Sequence, residues 1–119
     1  MKITVVGTGY VGLVAGVCFA QVGHQVTCLD VDEKKLDMLR RDESPIYEAG
    51  LEDLMRTNRA AGRIVYTSDH ASAYRDAEAV FIGVGTPERP DGSADLTYIA
   101  QVARQIAENS AVDGGVVVD

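Results

Sequence analysis

Short β-branched, apolar runs alternate along the chain with longer stretches in which apolar positions recur at helical spacing. The runs Lys2–Val6, Gln25–Leu29, Arg63–Thr67, Ala79–Val84 and Gly115–Val118 are predicted strands. Their near-continuous apolar character predicts cover on both faces, as in a parallel sheet. The first predicted helix runs from about Tyr10 to Val22, with Gly23 as its C-terminal cap. The second starts at Asp32 as N-cap and carries Leu36 and Leu39 on one face. A third, near Leu51–Ala60, groups Leu51, Leu54 and Met55 and ends at Gly62, and a short helix follows Ser68. The last, near Leu96–Asn109, has the clearest stripe: Leu96, Ile99, Ala100, Ala103, Ile106 and Ala107.

Strand–helix alternation of this kind predicts right-handed βαβ units wound into an α/β domain with a doubly wound parallel sheet. Two loops break the rhythm: Asp42–Gly50, with Pro45 and Gly50, and Gly85–Asp95, with Pro87, Pro90 and Gly92. Loops this long in a compact α/β domain often serve function.

Directly after the first strand the chain reads Gly7-Thr8-Gly9-Tyr10-Val11-Gly12, a G-x-G-x-x-G pattern that opens the first helix. The bare pattern is weak, but the strand before it and the helix after it supply the required context. Gly7 permits the tight turn, Gly9 lets backbone approach a pyrophosphate, and Gly12 lets the helix pack closely on the sheet, with Gly16 one turn on extending that packing. The free N–H groups and dipole of the helix start favour the phosphate charge. The second strand leads into Asp30, 18 residues after Gly12, where a carboxylate accepts hydrogen bonds from the adenosine ribose and repels a 2′-phosphate. Asp32 and Glu33 add negative charge there, and the next arginine is Arg40. The expectation is a Rossmann-type dinucleotide fold that takes NAD in preference to NADP.

In such a sheet, ligands sit beyond the carboxyl ends of the strands where strand order reverses, here between the first and fourth strands. The chain there reads Val84-Gly85-Thr86-Pro87. Gly85 allows close approach, Thr86 offers a hydroxyl and Pro87 stiffens the turn. On these residues alone, a ligand loop and an ordinary Gly/Pro loop both stand.

Composition narrows the function further. The 119 residues are 46% apolar, enough for the core of one domain, and the formal charge is -7 with a pI near 4.7. That balance argues against nucleic acid or an anionic membrane as partner. No apolar run is long enough to span a bilayer, and the opening run is too short for a signal peptide. Cys18 and Cys28 have no metal-ligand spacing, and both are expected to be buried, reduced thiols of a cytoplasmic protein. No metal-ligand cluster and no nucleophile–base pair stands out.

The whole chain resembles the UDP-glucose/GDP-mannose dehydrogenase family of nucleotide-sugar 6-dehydrogenases. The likeness lies in Met1 through Leu13 with its Gly-Tyr-Val-Gly, in Gly23 through Lys35, in Pro45-Ile46-Tyr47-Glu48-Ala49-Gly50-Leu51, in Phe81 through Pro87, and in Asp91-Gly92-Ser93-Ala94-Asp95-Leu96. The last of these and the Pro45–Leu51 segment are far more specific than the glycine pattern. They argue against a 6-phosphogluconate or hydroxyacyl dehydrogenase, and the UDP-glucose branch is most like this chain. The resemblance implies that Val11, in the Gly7–Gly12 turn with Tyr10, contacts the cofactor through its backbone. It implies that Asp30 binds the adenosine ribose with Lys35 reaching the same region, and that Thr86, beside Gly85, binds near the nicotinamide half. Ala49 departs from the family's usual proline, which loosens that turn.

The resemblance also implies a four-electron oxidation of a sugar C6 alcohol to a carboxylate, UDP-glucose to UDP-glucuronate, with two NAD and an aldehyde-level species held on a cysteine thiolate. That cysteine belongs to a substrate domain, and neither Cys18 nor Cys28 matches its position. The chain is therefore expected to be an N-terminal NAD-binding piece spanning residues 1–119, truncated after the fifth strand, without the central helix, the substrate domain or activity of its own. A non-catalytic NAD-sensing module is the other reading. The fifth strand is expected to be an open edge that promotes self-association. His24 is read as a helix-end residue, His70 as surface, Asp91 and Asp95 as turn and N-cap residues. Glu48 is either an exposed loop carboxylate or a contributor to the site.

Overall fold

The computed structural model describes residues 1–46, 48–83, 97–109 and 116–118. The strands are β1 (Lys2–Val6), β2 (Gln25–Leu29), β3 (Ile64–Thr67), β4 (Ala79–Ile82) and β5 (Val116–Val118); the helices are α1 (Tyr10–Gln21), α2 (Glu33–Arg40), α3 (Leu51–Ala60), α4 (His70–Arg75) and α5 (Thr97–Asn109). All strand pairs are parallel, in the order β3-β2-β1-β4-β5. The alternation read from the sequence is thus a doubly wound sheet. The strand ends differ from the expected ones at Arg63, just outside β3, and at Gly83, just past β4.

The period of two along each strand sends alternate residues to two cores. Ile3, Val5, Val26, Cys28, Ile64 and Tyr66 meet Leu13, Val17 and Ala20 of α1, Leu36 and Leu39 of α2, and Leu51 and Met55 of α3. Val6, Leu29, Val80 and Ile82 face the other way, against Ala73, Tyr74 and Ala77 and against Val102 of α5. Thr4 shares that second face, where its hydroxyl donates to the Ala73 carbonyl at 2.5 Å and so removes the penalty of a buried polar group.

The expectation of two buried thiols is half right. Cys28 is buried in the first core, but Cys18 is exposed. α1 is apolar around most of its circumference, so composition does not reveal its inward face. Leu13, Gly16, Val17 and Ala20 point in, while Val11, Cys18 and Val22 form the outer line. No helix among the described residues is long and apolar enough to cross a membrane.

Three helices end in the same way. At the end of α1 the Gly23 N–H donates to the Ala20 carbonyl and the His24 N–H to Phe19, with Gly23 at φ 106°. His24 therefore serves the helix end through its backbone. After α3, Gly62 and Arg63 repeat the arrangement on Arg59 and Asn58. After α2 the left-handed position is filled by Asp42, at φ 60°, a conformation that disfavours most side chains. Its carboxylate is gripped by the Arg59 guanidinium through Nε at 2.8 Å and Nη2 at 2.7 Å. The turn opening the Asp42–Gly50 loop is thereby tied to α3.

That bidentate bond holds the Asp42 carboxyl below its ordinary range. Its stabilisation is present above that range and is lost as pH falls through the lowered value. Arg59→Gln is expected to lower stability by about 0.5–1 kcal/mol at neutral pH. The deficit should shrink as pH falls through the lowered value and Asp42 takes up its proton; urea unfolding at neutral and at acid pH measures it.

Candidate dinucleotide site at the switch point

β1 lies between β2 and β4, and the chain leaves those two neighbours on opposite faces of the sheet. A crevice opens there, beyond the carboxyl ends of the strands. The Gly7–Gly12 turn sits on this line. Gly7 takes φ 91°, and its N–H donates to the Leu29 carbonyl at 2.7 Å, joining the ends of β1 and β2. A Cβ on Gly12 would stand 1.9 Å from the Gly7 carbonyl oxygen, and one on Gly83 would stand 2.9 Å from Gly12 Cα. Three stretches of backbone are thus in direct contact. The sequence pattern places Gly83 inside a strand, and its one signal there is a glycine in an apolar run that ends at the glycine turn.

Gly9 is different. It precedes α1 at φ -72° and ψ -169°, extended backbone open to any residue, and a Cβ there would meet nothing within 4 Å. Packing within the described residues gives no reason for a glycine at this position. Among the described residues no side chain caps the start of α1, whereas Asp32 caps α2 through the Lys34 and Lys35 N–H groups and Asp69 caps α4 through Ser72. An uncapped helix start beside open space, with its dipole pointing outward, has the geometry of an anion site.

Asp30 follows β2, with its N–H on the Thr67 carbonyl at 3.1 Å. Its side chain is only 11% exposed. Oδ2 accepts the Thr8 N–H at 2.9 Å and the Thr8 hydroxyl at 2.5 Å, Oδ1 accepts the Asp32 N–H at 3.0 Å, and Lys35 Nζ lies 3.8 Å away. Burial works to raise its pKa, but the Thr8 hydroxyl, the two N–H groups and Lys35 outweigh it, and the carboxyl sits below its ordinary value. Val31, beside it, is an apolar side chain 75% exposed.

Arg40 is committed elsewhere. Its Nε and Nη2 donate to the Tyr66 carbonyl at 3.2 and 3.0 Å, and Nη1 lies near Glu33 and Asp37. Glu33 also accepts from the Ser68 hydroxyl. On the other side of the turn, the exposed Tyr10 donates its hydroxyl to Glu48 at 3.0 Å, and this bond raises the phenol pKa. Glu48, for which two readings stood, thus touches the glycine turn and closes the loop against it.

Gly7, Gly9, Tyr10, Val11, Gly12, Asp30 and Lys35 are therefore gathered at one end of the sheet. Gly85 and Thr86, with Asp91 and Asp95, lie outside the described residues. Cys28 is fully buried and its thiol is pushed up to about 12, which leaves it no nucleophilic role at neutral pH. A separate cleft, lined by Lys2, Gln25, Ser72 and Asp76 among others, lies under the opposite ends of β1 and β2 and holds none of these residues.

Fold and site together define a Rossmann-type dinucleotide-binding domain. Residues 1–119 match the UDP-glucose/GDP-mannose dehydrogenase family, NAD binding domain, and the chain belongs to that family. It is 48% identical over 117 residues to UDP-glucose 6-dehydrogenase YwqF of Bacillus subtilis, covering 98% of this chain and 27% of the relative. Against the UDP-glucose 6-dehydrogenase of Rhizobium meliloti it is 52% identical over 110 residues, covering 92% and 25%. Among solved structures it resembles a ternary complex of GDP-mannose dehydrogenase from Pseudomonas aeruginosa, with a TM-score of 0.85 at 42% identity, covering 89% of this chain and 24% of that one. The chain thus spans about a quarter of the length of these relatives.

The two glycines with opposite surroundings should respond differently. Gly83→Ala forces backbone apart and is expected to lower stability by about 1–3 kcal/mol. Gly9→Ala, with open space at its Cβ, should cost less than about 1 kcal/mol. Thermal unfolding of the two variants makes the comparison.

Proposed function

We propose that this chain is the NAD-holding part of a UDP-glucose 6-dehydrogenase, a cytoplasmic enzyme that oxidises the C6 alcohol of UDP-glucose to the carboxylate of UDP-glucuronate. The observation that carries the cofactor reading is the pairing of an uncapped α1 start, open at Gly9, with the part-buried Asp30 carboxylate across the turn. In this reading, the N–H groups of the Gly9–Gly12 turn, Val11 among them, hold the pyrophosphate. Asp30 accepts from the adenosine ribose, the Thr8 hydroxyl, the Asp32 and Thr8 N–H groups and Lys35 together favour its ionised form, and Val31 offers an apolar surface for the adenine. Gly85 and Thr86 are assigned to the nicotinamide half by their place after β4. The bound dinucleotide supplies the hydride acceptor, and removal of four electrons from the alcohol takes two of them.

NAD is favoured over NADP on electrostatic grounds. A 2′-phosphate would meet Asp30 and the neighbouring Asp32 and Glu33, while Arg40 is held on the Tyr66 carbonyl. The choice of sugar nucleotide rests on the two relatives at 48% and 52% identity, both UDP-glucose 6-dehydrogenases, against 42% for the GDP-mannose enzyme. The unpaired thiols suit a reducing compartment.

Calorimetric titration is the test. Saturable NAD binding is expected, weaker binding of NADP, and loss of NAD binding in Asp30→Ala and Gly9→Ala variants that still melt cooperatively. A folded chain that does not take up NAD would sink the reading. β5 pairs with β4 and lies at the edge of the sheet. We therefore also propose that the isolated chain self-associates along that edge, so light scattering should give a mass that grows with concentration. A monomer at every concentration would contradict this.

A further inference from the structure

Thr8 is completely buried, and it spends both of its donors on one carboxylate oxygen. An ionised carboxylate offers about four acceptor positions. In Asp30 the two Thr8 bonds occupy Oδ2, the Asp32 N–H takes one position on Oδ1, and Lys35 Nζ approaches Oδ2 at 3.8 Å. Among the described residues, one acceptor position is left, on Oδ1. A ribose carries two vicinal hydroxyls, so it can donate to Asp30 through only one of them unless an internal bond breaks.

We infer that Thr8 is a positioning residue for cofactor choice: its hydroxyl locks the Asp30 carboxylate so that a single Oδ1 acceptor is presented to the ribose, and the locked carboxylate cannot swing away to admit a 2′-phosphate. The inference rests on the assignment of Asp30 to the adenosine ribose. Two features support it. The lock is built across the turn, between residues 22 apart in sequence. The Thr8 hydroxyl is also the foremost group opposing the effect of burial on Asp30. The other groups facing the carboxylate are Lys35 and the Asp32 N–H, while the Asp32 carboxylate itself is engaged with the Lys34 and Lys35 N–H groups.

Thr8→Val keeps the shape and the backbone bond and deletes only the hydroxyl; Thr8→Ser keeps the hydroxyl. The measurement is calorimetric affinity for NAD and for NADP, with NAD affinity followed from about pH 7 down to about pH 3. Thr8→Val is expected to lose about tenfold in NAD affinity, to narrow the ratio between NAD and NADP, and to move the acid loss of NAD binding to higher pH. The sign follows because removing the hydroxyl leaves burial less opposed, so the carboxyl protonates earlier on the way down. Thr8→Ser should restore all three. A general loss of structure would lower both affinities together and leave their ratio unmoved.

If Thr8→Val keeps the wild-type ratio and midpoint while Asp30→Ala abolishes binding, the inference about Thr8 falls and the assignment of Asp30 stands. If Asp30→Ala binds NAD as the wild type does, or the folded wild type does not bind it, both fall. Should Thr8→Val fail to fold, Thr8→Ala makes the same deletion without a second methyl against the carboxylate, and its ratio and midpoint are read in the same way.

Discussion

The contact of Gly7, Gly12 and Gly83, backbone on backbone, sets the distances on which the site depends. Gly12 lets α1 begin directly against the carbonyl of Gly7, and Gly83 lets β4 end against Gly12. With side chains at these places, α1 would stand off from the sheet and its first N–H groups would no longer lie over the crevice between β1 and β4. Gly16 continues the close fit one turn later, where a Cβ would be 2.9 Å from Cys28 Sγ. The buried thiol is thus one of the walls that fix the helix, which accounts for a cysteine in β2 that does no chemistry.

Once the backbone is placed, charge decides what it holds. The start of α1 favours an anion and Asp30 excludes one, and the two stand on either side of the same turn. A ligand satisfying both has a phosphate at one point and a neutral hydroxyl-bearing ring at the next. That is the layout of the adenosine half of NAD, on which the proposed preference over NADP rests. Asp30 also closes its own end of the turn through Thr8, so the residue proposed to select the ligand helps shape the turn proposed to bind it.

Much of this was legible in the sequence because it follows from short-range rules. β1, β2 and α3 match their predicted bounds, since alternation, capping and helix-ending glycines act within a few residues. The glycine turn and Asp30 were legible for a similar reason: strand, turn, helix and second strand constrain one another. What escaped depends on tertiary contact. The exposure of Cys18 could not be read from a helix apolar on nearly all sides. Gly83 gains its meaning only from Gly12, and Glu48 only from Tyr10. Asp42 in a glycine-like conformation makes sense only with the Arg59 fork beside it.

These missed contacts share a direction. Glu48 ties the Asp42–Gly50 loop to the glycine turn through Tyr10, Glu52 receives the Ser44 N–H at 3.2 Å, and Arg59 anchors the loop's first residue to α3. A loop that carries Ala49 where its family usually has proline gains less rigidity from its own backbone. Side-chain bonds at its start, middle and end hold it instead. Surface bonds of this kind are individually weak, so the loop is held by several at once, and its position is coupled to the turn that meets the cofactor. The Asp30 bonds are thus part-buried, while those that hold the neighbouring loop are exposed. The physical division between a locked carboxylate and a lightly tethered loop follows from where each polar group was placed relative to water.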